Sequence, residues 1–151
     1  MTWSEKLAEL GIELPAVAAP VAAYVPAVRT GSHVYTSGQL PFVDGRLETT
    51  GKVGAEVSPE EAKRYARTCV LNALAAVHAL AGIDSVVKVV KVVGFVASAE
   101  GFTGQPAVVN GASELLGEIF SEAGAHARSA VGVAELPLGA PVEVELIVEV
   151  Q

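Results

Sequence analysis

Residues 126–150 read HARSAVGVAELPLGAPVEVELIVEV. Two alternating runs flank a Leu-Pro-Leu-Gly segment, and the pattern predicts two strands joined by a Pro-Gly turn. Side chains alternate along a strand. Ser129, Val131 and Val133 therefore share one face of the first run, and Arg128, Ala130, Gly132 and Ala134 share the other. In the second run Val142, Val144, Leu146, Val148 and Val150 line one face, while Glu143, Glu145, Ile147 and Glu149 line the other. Arg128 thus stands among neighbours with almost no side chain, which leaves room beside it. A guanidinium in such a space needs an anion, and its planar fork suits a carboxylate in a two-bond pairing. Two partners are open. One is a glutamate of the next strand, carried close by the hairpin into a buried ion pair. The other is the carboxylate of a small bound molecule.

Upstream of this stretch the pattern changes. Ser58 is a good N-cap, Pro59 fits the first helical position, and Glu61 completes a capping box. Ala62, Tyr65, Ala66, Cys69, Ala73, Ala76, Val77 and Leu80 recur at helical spacing, so a helix is predicted over 59–81, stopped by Gly82. SVVKVVKVVGFVAS (85–98) is too rich in valine to be anything but a long strand. A second helix is predicted over 105–123, with Val108, Ala112, Leu115, Leu116, Ile119 and Phe120 on its apolar side and Gly124 at its end. Earlier still, residues 23–30 and VYTSGQLP read as strands, and Asp44-Gly45 as a hairpin tip. Residues 1–20 read as a short helix followed by a proline-rich arm, with Pro15, Pro20 and Pro26 forbidding a continuous helix. No internal repeat or linker interrupts the chain, so 1–151 is expected to be a single domain.

Strands, helix, long strand, helix and two strands make an α+β order. One sheet with two helices packed on one face accounts for it. The composition then raises a difficulty. Hydrophobic residues make up 51% of the chain and charged residues only 18%, with a mean hydropathy of +0.45. Valine-rich strands look apolar on both faces, so the second face is expected to be covered by other subunits. No run approaches the roughly 18 apolar residues of a spanning helix, and the charged N-terminus lacks the basic-then-apolar pattern of a signal peptide. The single cysteine, Cys69, excludes an intrachain disulfide and a multi-cysteine metal site. A cytoplasmic location is the expectation. The net charge of −7 and scattered basic residues weigh against a nucleic-acid partner.

YTSGQLP, KVGAEVSPEEAKRYARTCVLNALA, VNGASELLGEIF and above all the 126–150 stretch resemble the Rid/YjgF family of reactive-intermediate deaminases, also called endoribonuclease L-PSP. The resemblance runs from about residue 20 to the end. It implies a chorismate mutase-like fold and a homotrimer with sites in the clefts between subunits. It maps the family's carboxylate-binding arginine onto Arg128, the site glutamate onto Glu143, the aromatic near the first strand onto Tyr24, the loop glycine onto Gly38 and the helix asparagine onto Asn110. One departure stands out: the better-known branch carries a cysteine two residues after the arginine, where this chain has Ala130.

The implied activity is hydrolysis of small 2-imino and enamine acids, such as 2-aminoacrylate and 2-iminobutyrate, to 2-keto acids and ammonia. That chemistry needs orientation, a proton for nitrogen and a placed water. Arg128 would bind the carboxylate. The backbone at Ser129 and Ala130 would hold the imine nitrogen or the water, Glu143 would activate that water, and Tyr24 of a neighbouring subunit would close the cleft. No metal or organic cofactor is required. His33, His78 and His126 lack metal-ligand spacing, and His126 alone lies close to the motif. Ser37 and Ser129 have no evident base partner. Two other functions remain in play: non-catalytic binding of small carboxylates, and cleavage of single-stranded RNA.

Overall fold

The helix predicted over 59–81 forms as α2 (Pro59–Ala81). Ser58 accepts a hydrogen bond from the Glu61 amide, and Gly82 leaves the helix at φ 79°, a conformation open to glycine without steric cost. The Glu61 carboxylate meets the Ser58 hydroxyl at 3.2 Å, so the capping pair is closed through side chains. The structure is a computed structural model and describes residues 1–17 and 23–151. Part of the predicted proline-rich arm, including Pro20, lies outside the described residues.

Before α2 come the short helix α1 (Trp3–Glu9) and strands β1 (Ala27–Thr30), β2 (His33–Thr36), β3 (Phe42–Val43) and β4 (Arg46–Leu47). After it come β5 (Val86–Ala97), α3 (Gln105–Phe120), β6 (Ala127–Val133) and β7 (Val142–Val150). β3 and β4 form the expected hairpin around Asp44-Gly45, both with positive φ, as a tight two-residue turn demands. Strand β1 starts four residues later than the sequence predicts, after Pro26. Helix α3 ends at Phe120, and a 3₁₀ turn carries the chain on to Gly124. Leu80, read as part of the core face, is exposed in the last turn of α2.

The main sheet has the order β1-β2-β7-β5-β6. This overturns the expected hairpin between the last two strands. β6 runs parallel to β5 and β7 antiparallel to it, on its other side. The reason is physical. β5, α3 and β6 form a parallel crossover, which commits β6 to the sheet edge. β7 buries every second residue, four valines and Leu146, and is flanked by β2 and β5. The Pro137–Gly139 turn spans the end of the sheet between them.

Helices α2 and α3 pack on one face. Val89, Val92 and Val96 of β5 and Val142, Val144, Leu146 and Val148 of β7 meet Ala66, Cys69, Ala73, Leu115, Leu116 and Phe120 beneath them. Two glycines permit the close fit: Gly94 lies under Val109, and Gly111 lies against the Lys63 carbonyl. Helix α1 docks at the end of this layer. The Trp3 ring meets Phe120 edge-on at 5.1 Å, and its indole N–H donates to the Val86 carbonyl at 2.8 Å. On the opposite face Val28, Tyr35 and Val131 are exposed, and Val93, Phe95 and Ile147 are half-buried.

Candidate functional site

Arg128 lies on the edge strand β6, opposite Val92 of β5, which is in turn opposite Leu146 of β7. Both partners are buried, so Arg128 stands on the helix side of the sheet. There a stripe of α3 meets it. Nη1 donates to Asn110 Oδ1 at 2.7 Å and to Ser113 Oγ at 3.2 Å. Nη2 donates to the Pro106 carbonyl at 3.4 Å. Positions 106, 110 and 113 share one helix face. All three acceptors are neutral. The ion pairs among the described residues are Lys52–Glu135, Lys63–Glu114 and Arg67–Glu118, so the buried Arg–Glu pair considered from the sequence does not form. A guanidinium has five N–H donors. Here the Nε–H and one Nη2–H meet no acceptor among the described residues.

Glu143 lies elsewhere. It is opposite Phe95 on β5 and alternates with the buried Val142 and Val144, which puts it on the open face. The expected proximity of a β7 glutamate to Arg128 is therefore wrong within one protomer. β5 intervenes, so the strands are about 9.5 Å apart, and the pleat turns the two side chains to opposite faces. Glu143 packs instead over Gly38, where a Cβ would overlap the carboxylate. Burial, and then the neighbouring Glu145 charge, raise the Glu143 carboxyl above its ordinary value. A carboxylate so placed can take and return a proton nearer neutrality.

The remaining candidates divide between these two places. Asn110 belongs with Arg128, and Gly38 with Glu143. Tyr24 is exposed just before β1, at the opposite sheet edge from Arg128, about 19 Å across four strand spacings. Ser129 faces the open side, away from Arg128, while Ala130 shares the arginine's face and packs on the core. Cys69 is buried, its thiol pushed well up by that burial, as the inert core reading expects. His78 accepts from the Ile83 amide at 3.0 Å, a structural role. Two site residues were missed or underweighted: Ser113, and His126, whose ring bonds Ser113. Among the described residues no three His, Cys, Asp or Glu side chains converge as metal ligands, and no helix is long and apolar enough to cross a membrane.

One family model matches nearly the whole chain. The family described as "YjgF/chorismate mutase-like, putative endoribonuclease" matches residues 4–150. The chain belongs to the Rid/YjgF family and has its chorismate mutase-like fold. It is 47% identical over 145 residues to Protein TCP17 of Trypanosoma cruzi, covering 95% of this chain and 91% of that protein. Among solved structures it is similar to Atu1372 of Agrobacterium tumefaciens, a protein of unknown function, at 42% identity and TM-score 0.90, covering 99% and 92% of the two chains. It is also similar to RidA of a Psychrobacter species, at 33% identity and TM-score 0.60, covering 89% and 94%.

Proposed function

We propose that the chain hydrolyses small 2-imino acids, formed from enamines such as 2-aminoacrylate, to 2-keto acids and ammonia. One observation carries the reading: among the described residues Arg128 is braced by neutral acceptors only, with N–H groups on Nε and Nη2 left over. Those two nitrogens form the edge that a carboxylate bridges side-on. Membership of a family that includes a RidA supports the same reading.

Water adds to the imine carbon, the nitrogen gains a proton, and the tetrahedral adduct expels ammonia as the C=O bond forms. The sum is R–C(=NH)–COO⁻ + H₂O → R–C(=O)–COO⁻ + NH₃. Arg128 fixes the carboxylate and so the orientation of the reacting carbon. Glu143, with its raised carboxyl, takes a proton from the attacking water and returns it to the departing nitrogen. Since Arg128 and Glu143 diverge within one protomer, the cleft is built between copies in a homotrimer. One subunit supplies Arg128 and Asn110, and its neighbour supplies Glu143, Gly38 and Tyr24. The backbone of the edge strand at Ser129 and Ala130 offers donors and acceptors for the nitrogen or the water.

The test couples purified protein to a serine or threonine dehydratase and follows the 2-keto acid. Accelerated release that is lost in Arg128→Ala is expected. Equal rates for parent and variant would overturn the assignment. Binding of 2-keto acids without any turnover would leave a carboxylate-binding module instead. RNA cleavage is disfavoured by the net charge of −7 and by the pairing of Lys52, Lys63 and Arg67 with glutamates.

A further inference from the structure

A chain of hydrogen bonds reaches Arg128 from the side away from the proposed cleft. The Gly124 carbonyl lies 2.6 Å from His126 Nδ1. His126 Nε2 lies 2.8 Å from Ser113 Oγ, and Ser113 Oγ lies 3.2 Å from Arg128 Nη1. The two ends fix the outer two directions, and a neutral ring fixes the one between them. A carbonyl only accepts, so His126 Nδ1 carries the hydrogen. A guanidinium only donates, so Ser113 Oγ accepts from Arg128. With a neutral imidazole, the serine's own hydrogen points to the Nε2 lone pair of His126.

We infer that His126 and Ser113 are positioning residues for the carboxylate-binding arginine. His126 holds the Ser113 hydroxyl so that its oxygen faces Arg128. With Asn110 Oδ1 on the other Nη1 hydrogen, both Nη1 donors are committed. The fork cannot rotate about its C–N bonds, and its Nε–Nη2 edge stays turned outward. Neutral acceptors are required for this. A carboxylate at position 113 would hold the guanidinium equally well but would cancel the charge that the ligand needs. The inference rests on the reading of Arg128 as a carboxylate binder.

The experiment has two readouts on the full chain. In ¹⁵N spectra, His126 is expected as the Nδ1–H tautomer, and the Arg128 Nη1 and Nη2 signals are expected to be separate. In Ser113→Ala and His126→Phe those signals should merge as rotation is freed, while Ser113→Thr should keep them apart. In the keto-acid assay, KM should rise about tenfold in Ser113→Ala and His126→Phe, the loss expected of one hydrogen bond to a charge, with kcat little changed and Ser113→Thr restored. An Nε2–H tautomer, or an unchanged KM with unmerged Arg128 signals in both variants, would overturn the inference. If Arg128→Ala itself turns over normally, the deaminase reading fails, and the spectra still decide whether the chain holds the guanidinium.

Discussion

The Glu143 carboxylate lies directly over the backbone of Gly38, close enough that no residue with a Cβ fits at 38 while the carboxylate stays in place. The obstructing atom is the far end of a flexible side chain on a half-buried residue. Gly38 thus sets a position rather than supporting the core.

Gly38→Ala should therefore separate activity from stability. The carboxylate swings aside at a cost of about 0.5 kcal/mol, so the melting temperature barely moves. Under the proposed mechanism, in which Glu143 must stay in register with the water, imine turnover should fall at least about tenfold. Parallel melting curves and keto-acid rates check this. A fully active Gly38→Ala would remove Glu143 from the reaction.

Glu143 also gives stability a pH dependence of definite sign. Its folded-state carboxyl is raised, first by burial and then by Glu145, above an unfolded value of about 4.3. Such a group favours the folded state below the unfolded value and loses that contribution as pH rises through the folded one. Glu143→Gln, which mimics the neutral form, should be more stable than the parent at pH 7. The difference should vanish by about pH 4. Glu145→Gln removes the like charge and should recover part of the same gain. Urea unfolding at the two pH values measures both.

Two glycines of α3 should respond in opposite ways to the same substitution. At Gly111 a Cβ would run into the Lys63 carbonyl of α2, a rigid backbone group. Gly111→Ala should force the helices apart and cost about 2 kcal/mol or more. At Gly117 none of the described residues comes within 4 Å of a Cβ. There alanine should stabilise the helix by about 0.5–1 kcal/mol. Denaturant midpoints for the two variants give the comparison directly.

Local pattern and tertiary arrangement were unequally legible. Helix α2 and the valine strand β5 could be read because caps, period and β-branching act within a few residues. The order of β6 and β7 could not, because it depends on which strand lies beside β5, a choice made by the α3 crossover and the burial of β7. A consecutive pair of strands reads as a hairpin until that competition is seen. The same error placed a glutamate beside Arg128. Asn110 entered through resemblance alone. Ser113, one helical turn beyond it, carried a spacing signal, but serine on a helix surface points at no particular partner without the register of β6. The open face was legible in outline, since alternation leaves Val93, Phe95 and Ile147 opposite the buried valines.

The split between Arg128 and Glu143 makes a prediction that a single-chain site cannot meet. Arg128→Ala and Glu143→Gln should each be inactive alone. Mixed after co-expression or refolding, they should regain activity, because a cleft whose arginine comes from one variant and whose glutamate comes from the other is intact. For random cyclic trimers from equal amounts of the two chains, about a quarter of clefts meet that condition, so keto-acid release should return to about a quarter of the parental rate. Were both residues drawn from one chain, every cleft in the mixture would lack one of them and no activity would return. Mixing rates measured against tag-resolved subunit composition would decide between these arrangements.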